Sequence, residues 1–307
     1  MTDLRALLED DSVTEVIVNG VRDSWVERGG VLHGIGPVFS SPEELDQWAR
    51  GLLQGTGRRV DRRSPMADAR LPDGSRVCVV AEPAVLGGMH VNVRKFPKHR
   101  LSLTDLVGAG FLTEGAAALL LDAVRSGKNI FLSGGTGAGK TTLLNALIAL
   151  VPHGERIITL EDTAELLPDH PHVVRLEARP ANAEGEGAIE LRALVRCALR
   201  MRPDRLVMGE CRGPEALDLL QSLNTGHRGS MGTIHANSAR EALGRLELLC
   251  QMAMPQLTLP VLRALVAGAI HVVAHVERVN GRRRLASLHE VAGTEEGTIL
   301  LRTRNIR

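Results

Sequence analysis

Tyrosine is absent from the 307-residue sequence, and aromatic residues of all kinds make up only 2% of it. Proteins that bind single-stranded nucleic acid usually stack the bases on aromatic side chains. The net charge is also small, +1 at pH 7 with histidine neutral, whereas a chain that coats nucleic acid is usually strongly basic. We therefore expect no direct contact with nucleic acid.

Cysteine pairs and long hydrophobic runs are lacking as well. The four cysteines are widely spaced and form no CxxC pair, which indicates neither a zinc site nor a disulfide framework and is typical of the reducing cytosol. No stretch of about 18 apolar residues, the length of a transmembrane helix, occurs. The first residues, MTDLRALLEDD, carry charges too early for a signal peptide. We expect a cytoplasmic protein that reaches a membrane only by docking on partners.

The length of the chain favours two domains, because a typical domain has about 100 to 200 residues. The segment KFPKHRLSL, residues 95–103, is basic, contains proline and lacks periodicity. We place the boundary there, which predicts an N-terminal domain of residues 1–100 and a C-terminal domain of residues 101–307.

The N-terminal part has the pattern of a small α+β domain. Apolar and polar residues alternate from Val13 to Val38, with breaks at Asn19-Gly20 and Gly29-Gly30, as in antiparallel hairpins. Residues 40–53 predict a helix with Ser41 as its N-cap. Residues 70–83 predict a further hairpin that turns at Pro72-Asp73-Gly74.

The C-terminal part alternates helical segments with apolar strands, which predicts an α/β fold with a mostly parallel sheet. The predicted helices cover residues 113–126, 140–150 and 189–201, and the predicted strands cover residues 129–132, 156–160, 205–208 and 232–234. Residues 282–288 and 298–304 predict two terminal strands that could pair as an edge hairpin.

The strongest motif in the chain is GGTGAGKT, which follows an apolar strand and precedes a helix. This pattern is a P-loop, in which glycines let backbone N–H groups surround phosphate oxygens at the positive end of a helix. We expect Lys140 to reach the β- and γ-phosphates of a nucleotide, and the Thr141 hydroxyl to bind Mg²⁺. The P-loop alone leaves the reaction open, because kinases, GTPases, helicases and motors share it. The predicted nucleotide-binding residues are Gly134, Gly135, Thr136, Gly137, Ala138, Gly139, Lys140, Thr141 and Thr142.

Two acidic positions at strand ends could support hydrolysis. Glu210 follows the apolar strand of residues 205–208 and Gly209. Gly209 occupies the position where many P-loop proteins have an aspartate. We therefore expect Glu210 to activate water, and Glu161 to supply the acid for the metal. Either carboxylate could instead only cap the helix that follows it.

His235 follows another short apolar strand and could hydrogen-bond a phosphate or respond to its loss. A single histidine in such a place is often structural, so both interpretations stay open. His227 lies eight residues earlier, with a predicted strand between the two, and we do not expect a metal-binding pair.

Four segments in order resemble the type II/type IV secretion ATPase superfamily. GGTGAGKTT resembles its Walker A motif, RIITLEDTAEL its Asp box, RLVMGECRG its Walker B motif, and GHRGSMGTIHANS its His box. RRSPMADARLPDGSRV and VNVRKF are similar to the Flp/Tad pilus assembly ATPases (CpaF-like) in particular. The resemblance covers nearly the whole chain.

The resemblance implies a RecA-like P-loop ATPase domain preceded by a PAS-like N-terminal domain, in a homo-hexameric ring that works on inner-membrane platform proteins of a pilus or secretion system. It also implies that Glu161 is the Asp-box acid, Glu210 the Walker B glutamate and His235 the His-box histidine. Arg94 in VNVRKF is the best match to the arginines that stabilise phosphate charge in this family. Arg100 and Arg212 are weaker candidates, and any of the three could be an ordinary surface charge.

A basic helical face, formed by Arg192, Arg196 and Arg200, could line a seam between subunits or be neutralised by local acids. For the whole chain, the expected function is an ATP-hydrolysing motor of a secretion or pilus assembly machine. The alternatives are a nucleic-acid translocase on a RecA-like core, a small-molecule phosphotransferase, and a regulatory subunit that binds ATP without hydrolysing it.

Overall fold

The computed structural model of the chain describes residues 4–96, 100–181 and 186–306. The chain divides into two compact units, one of Met1–His99 with Ala181–Glu186 and one of Arg100–Pro180 with Gly187–Arg307. The predicted boundary at residue 100 adjoins residues 97–99, which lie outside the described residues. Each unit has hydrophobic core clusters of its own.

The first unit is built on an antiparallel sheet. Its elements, in chain order, are α1 (Leu4–Glu9), β1 (Val13–Asn19), β2 (Asp23–Arg28), β3 (Val31–Gly34), α2 (Pro42–Leu53), β4 (Met66–Arg70), β5 (Arg76–Val80) and β6 (His90–Arg94). The strands lie in the order β3-β2-β1-β6-β5-β4, and each neighbouring pair is antiparallel.

Local sequence signals account for most of these elements. The Ser41 side chain accepts a hydrogen bond from the Glu44 backbone N–H at 3.3 Å and begins α2, as its position before Pro42 predicts. The predicted turn after Pro72 is present, with Gly74 at φ +90°. However, the first strand of that hairpin is β4, which ends at Arg70, where the predicted segment begins. This strand was not predicted because apolar and polar residues alternate only weakly in its sequence, MADAR.

The second unit is an α/β structure. Its elements are α3 (Leu103–Gly108), α4 (Glu114–Arg125), β7 (Ile130–Ser133), α5 (Lys140–Ile148), β8 (Ile157–Glu161), β9 (Val173–Glu177), α6 (Leu191–Ala198), β10 (Arg205–Met208), α7 (Glu215–Asn224), β11 (Met231–Ile234), α8 (Ala239–Ala253), α9 (Leu259–Ala269), β12 (Val272–Val279), β13 (Arg282–Glu295) and β14 (Thr298–Thr303).

The strands of this unit form one sheet in the order β14-β13-β12-β7-β11-β10-β8-β9 among the described residues. Every pair from β12 to β9 is parallel, and β13 and β14 add an antiparallel hairpin at the edge. The prediction of a mostly parallel sheet with a terminal edge hairpin is therefore confirmed.

Two strands of this sheet were not predicted. β12 follows the apolar helix α9 almost directly, and a continuous apolar run hides the boundary between a buried helix and a buried strand. β9 is half-exposed and carries charged residues, so it lacks the apolar run of its neighbours. Because β12 lies between β7 and β13, it brings the terminal hairpin close to the loop that follows β7.

Helices cover both faces of the parallel part of the sheet. Residues of α3, α4 and α5 form one apolar cluster, and residues of α6, α7, α8 and α9 form the other. The strands β7, β8, β10 and β11 are buried along their whole length, as expected for strands covered on both faces. Within the described ranges, every helix is too short or too polar to cross a membrane.

Candidate functional site

The motifs found in the sequence meet at one edge of the second unit's sheet. Ser133 of β7 pairs with Ile234 of β11, and Met208 of β10 pairs with Leu160 of β8. At this edge, β7 is followed by the glycine-rich loop, β11 by His235 and β10 by Gly209-Glu210, while Glu161 is the last residue of β8. Ligands of α/β proteins bind outside the carboxyl ends of parallel strands, so this edge is the candidate site.

The glycine-rich loop connects β7 to α5 and is closely packed where it leaves the strand and where it enters the helix. A Cβ atom on Gly134 would lie 2.3 Å from the backbone carbonyl oxygen of Val276 in β12. A Cβ atom on Gly139 would lie 2.8 Å from the Phe111 ring, and Gly139 has φ +102°. Only glycine fits these positions without moving the surrounding backbone or ring.

The Lys140 side chain lies within the curve of this loop. Its ammonium group donates hydrogen bonds to the carbonyl oxygens of Gly134 and Gly135, each at 2.9 Å. Burial lowers the pKa of Lys140, and Glu210 opposes that shift. A curled glycine loop, a helix N-terminus and a buried ammonium group together fit the phosphate chain of a nucleotide.

The other predicted nucleotide-binding residues occupy three environments. Ala138 is buried, whereas Gly135, Thr136 and Gly137 are exposed at the tip of the loop. Thr141 and Thr142 are half-buried in the first turn of α5. The hydroxyl groups are thus at the helix end where a phosphate-bound Mg²⁺ would lie.

Glu161 is the last residue of β8, and its side chain is 3% exposed. One carboxylate oxygen, Oε1, accepts hydrogen bonds from the backbone N–H groups of Glu165 at 2.8 Å and Leu166 at 2.7 Å. The other oxygen, Oε2, is buried and has no hydrogen-bond partner among the described residues. Burial, partly opposed by the two backbone hydrogen bonds, raises the pKa of this carboxyl to about 7.

The two oxygens of Glu161 have different surroundings. Oε1 binds backbone N–H groups of the segment after β8, and because the next element is the strand β9, the alternative that this acid caps a following helix is wrong. A buried carboxylate oxygen without a partner is costly unless a ligand completes it, so Oε2 fits a role near a cation. Thr141 and Glu161 are thus suitable groups for holding Mg²⁺.

Gly209 and Glu161 are in close contact, which explains the missing aspartate. A Cβ atom on Gly209 would lie 2.9 Å from Cγ of Glu161 and 3.4 Å from its Oε1. An aspartate at position 209 would therefore overlap the Glu161 side chain. In this chain the acid beside β10 comes from the neighbouring strand β8.

Glu161 predicts a pH dependence for the ligand-free protein. Between about pH 4.5, the usual pKa, and about pH 7, the folded chain holds a proton that the unfolded chain has released. The free energy of unfolding should therefore decrease as the pH rises through this window, by up to about 3 kcal/mol from this group. Glu161→Gln should remove that part of the decrease in urea unfolding with EDTA present, whereas the exposed Glu295→Gln should not. Equal pH dependence in wild type and Glu161→Gln would contradict this.

Glu210 lies between two donors. Its Oε1 is 2.8 Å from Nε2 of His235, and its Oε2 is 2.6 Å from Nη2 of Arg212. Nδ1 of His235 is 3.4 Å from the Lys140 ammonium nitrogen. Burial, Lys140 and Arg212 lower the pKa of His235, while Glu210 raises it, and the net direction is downward. The structure thus brings together Lys140, Glu210 and His235, and adds Arg212 to them.

The other predicted basic residues belong to both units. Arg94 is the exposed last residue of β6 in the first unit, and Arg100 forms an ion pair with Asp169 at 2.7 Å. Arg192 and Arg196 of α6 both bind the Asp218 carboxylate of α7, at 2.6 Å and 2.9 Å. For these two arginines a local acidic partner is therefore present.

Sequence reasoning did not identify three residues next to the site. Phe111 packs on Gly139, and the Arg283 side chain lies 3.7 Å from a Cβ built on that glycine. The carboxylate of Glu215, which is 4% exposed, accepts hydrogen bonds from the Arg212 and Gly213 backbone N–H groups, each at 2.7 Å. Only Glu215 had a local signal, since an acid after Pro214 is typical of a helix start.

Comparisons with known proteins agree on one family. Residues 2–296 match the family model described as Type II/IV secretion system protein. A protein of Mycobacterium tuberculosis named for conjugal transfer is 41% identical over 292 residues, which cover 93% of this chain and 82% of the relative. Type IV secretion system protein PtlH of Bordetella pertussis is 36% identical over 318 residues, with 93% of this chain and 92% of PtlH covered.

A solved structure extends this similarity to the fold. It is the VirB11 ATPase of the Brucella suis type IV secretion system, in complex with sulphate. The two chains are 29% identical with a TM-score of 0.52, and the match covers 94% of this chain and 92% of that one.

Proposed function

This chain belongs to the Type II/IV secretion system protein family, and from that premise we propose that it hydrolyses ATP with Mg²⁺ as one subunit of a motor. The observation that carries the proposal is the convergence of Lys140, Glu210 and His235 at the glycine-rich loop. Nucleotide binding and water activation require these groups within a few ångströms of each other.

Each residue has a distinct part in the proposed reaction. Lys140 exchanges its loop carbonyl partners for the β- and γ-phosphate oxygens, and the backbone N–H groups of the loop bind the same phosphates. Glu210 orients the attacking water and accepts its proton. His235 contacts both Lys140 and Glu210 and so connects the phosphate loop to the base. Arg94 would stabilise phosphate charge, a role that rests on the family resemblance.

Thr141 and Glu161 are the groups that would hold the metal. The Thr141 hydroxyl and Oε2 of Glu161, which has no hydrogen-bond partner among the described residues, would be the two oxygen groups that hold it. Bound Mg²⁺ would supply neutralisation of charge on the phosphate oxygens. Tight packing against Gly209 keeps the Glu161 side chain in place for this role.

At the level of the assembly, we propose a homo-hexamer of RecA-like ATPase domains, each preceded by a PAS-like domain. ATP hydrolysis would drive domain motion, and inner-membrane platform proteins of a pilus or secretion system would receive it at the cytoplasmic face. Family membership supports the secretion role. Similarity of RRSPMADARLPDGSRV and VNVRKF to Flp/Tad ATPases supports a Tad-type pilus machine.

The proposal is tested by titrating the purified chain with a fluorescent ATP analogue and by measuring phosphate release from ATP. We expect saturable binding that is weakened by EDTA and lost in Lys140→Ala, and phosphate release only when Mg²⁺ is present. Lys128→Ala is a suitable control, because that lysine pairs with Glu290 away from the loop. Binding without phosphate release under any condition would favour the regulatory alternative and contradict a motor.

A further inference from the structure

We propose that Arg212 is a positioning residue, which clamps the Glu210 carboxylate together with His235 and so fixes the orientation of the base during ATP hydrolysis. The inference rests on the proposed function and deepens it. Arg212 was noted from the sequence only as a possible nucleotide contact, and its observed partner is instead the Glu210 side chain.

The clamp follows from how the two carboxylate oxygens are used. Among the residues that the structure describes, each oxygen of Glu210 has one donor, Nε2 of His235 at 2.8 Å on one side and Nη2 of Arg212 at 2.6 Å on the other. Two contacts on opposite oxygens prevent the carboxylate from rotating about its terminal bond. Each carboxylate oxygen can accept two hydrogen bonds, so one position per oxygen stays available for a water molecule.

The Lys140 contact determines which form of His235 takes part. An ammonium group has only donors, so the nitrogen that faces it, Nδ1, has to be the acceptor. Nε2 then carries the hydrogen and donates it to Glu210. Lys140 thus sets the tautomer in which the histidine can hold the base, and it connects the phosphate loop with the clamp.

The backbone on which Arg212 is mounted is held on both sides. The Cys211 N–H donates to the Thr233 carbonyl oxygen of β11 at 2.9 Å, and the Cys211 side chain is buried. The carboxylate of Glu215, itself nearly fully buried, accepts from the Arg212 backbone N–H at 2.7 Å. The guanidinium therefore extends from a fixed point of the chain rather than from a loose loop.

The solvent exposure of the Arg212 side chain indicates that this residue positions Glu210 rather than stabilises the fold. The Arg212 side chain is 56% exposed, and exposed ion pairs contribute little to the free energy of folding. The Glu210 side chain is only 18% exposed and lies among the site residues. Loss of Arg212 should therefore leave the fold intact and affect the chemical step.

The test compares Arg212→Ala with wild type in steady-state ATP turnover, nucleotide binding and thermal unfolding. We expect kcat to fall about ten- to a hundredfold, because misplacement of a catalytic group by about 1 Å has effects of this size. KM and the affinity for an ATP analogue should change less than about threefold, and the unfolding midpoint should stay the same. Arg212→Lys keeps one donor and should recover part of the lost kcat.

Arg284→Ala is the matched control. The Arg284 side chain is 59% exposed and pairs with Glu277 at 2.7 Å, almost the same exposure and distance as the Arg212 pair. The kcat of Arg284→Ala should equal that of wild type. A general effect of removing an exposed, ion-paired arginine would appear in both variants alike.

A second pair of variants tests the other side of the clamp. The amide nitrogen of glutamine can occupy the place of Nε2 of histidine, so His235→Gln should keep more activity than His235→Ala. In the double variant Arg212→Ala with His235→Ala, the loss of kcat should differ from the product of the single losses, because both residues act on Glu210.

The outcomes separate the clamp from the proposed function. If wild type hydrolyses ATP and Arg212→Ala has unchanged or higher kcat, the clamp is wrong and the proposed function stands. A change in KM alone would also overturn the clamp, because it would make Arg212 a nucleotide contact. If wild type shows no hydrolysis while it binds ATP, the proposed function itself fails.

Discussion

Glu210→Gln is expected to lower the turnover number for ATP by about 100- to 10,000-fold, the range associated with loss of a general base. Glutamine has nearly the same shape but cannot accept a proton from water at neutral pH. Its amide also offers one oxygen to two donors, so the hydrogen bond of either His235 or Arg212 is lost. Phosphate release under saturating ATP measures the effect.

The affinity for ATP should stay nearly unchanged in Glu210→Gln, because Glu210 contacts His235 and Arg212 rather than the backbone of the glycine-rich loop. A binding titration with the fluorescent analogue should give a dissociation constant within a few fold of wild type. Glu277→Gln removes a carboxylate from the Arg284 ion pair and should leave turnover unchanged. If Glu210→Gln retained wild-type turnover, another residue would have to be the base.

Gly134→Ala is expected to weaken ATP binding about 5- to 150-fold. The added Cβ would lie 2.3 Å from the Val276 carbonyl oxygen, and backbone in the middle of a sheet cannot move aside cheaply. Overpacking of this kind costs about 1–3 kcal/mol. If the glycine-rich loop moves to relieve the overlap, this cost appears as weaker ATP binding, and each 1.4 kcal/mol lowers the affinity about tenfold. The Gly134 carbonyl that holds Lys140 would move with it.

The control for this prediction is Gly154→Ala. A Cβ on Gly154 meets nothing within 4 Å, and the residue lies between α5 and β8, outside the glycine-rich loop. Its affinity for the ATP analogue should match that of wild type, whereas Gly134→Ala should show both a weaker affinity and a lower unfolding midpoint. An unchanged affinity in Gly134→Ala would mean that the loop does not depend on its packing against β12.

Features set by local pattern could be predicted from the sequence. The strand, glycine loop and helix around Lys140 lie where the motif places them, because the glycine-rich turn and the apolar strand are both short-range signals. Glu161, Glu210 and His235 lie at the same sheet edge because each is at the carboxyl end of a parallel strand, Glu161 as the last residue of β8 and the other two just after β10 and β11. Their individual catalytic roles stay predictions.

Features set by contacts between distant segments could not be predicted. Glycine replaces the usual aspartate at position 209 because the Glu161 side chain occupies the space that an aspartate side chain would need. Glu161 lies 48 positions earlier in the chain, so the sequence around Gly209 gives no sign of this contact. Likewise, Asp218 as the shared partner of Arg192 and Arg196 depends on the packing of α6 against α7. β12 was missed because buried helix and buried strand have the same apolar composition when they adjoin.

The central claim, that this chain is an assembling ATPase motor, is tested most directly by ATP turnover against protein concentration with light-scattering mass measured on the same samples. The account predicts turnover per chain that rises as the chains assemble into a hexamer and that does not respond to single-stranded DNA. A monomer whose turnover is independent of concentration, or is stimulated by single-stranded DNA, would contradict it and favour the nucleic-acid translocase.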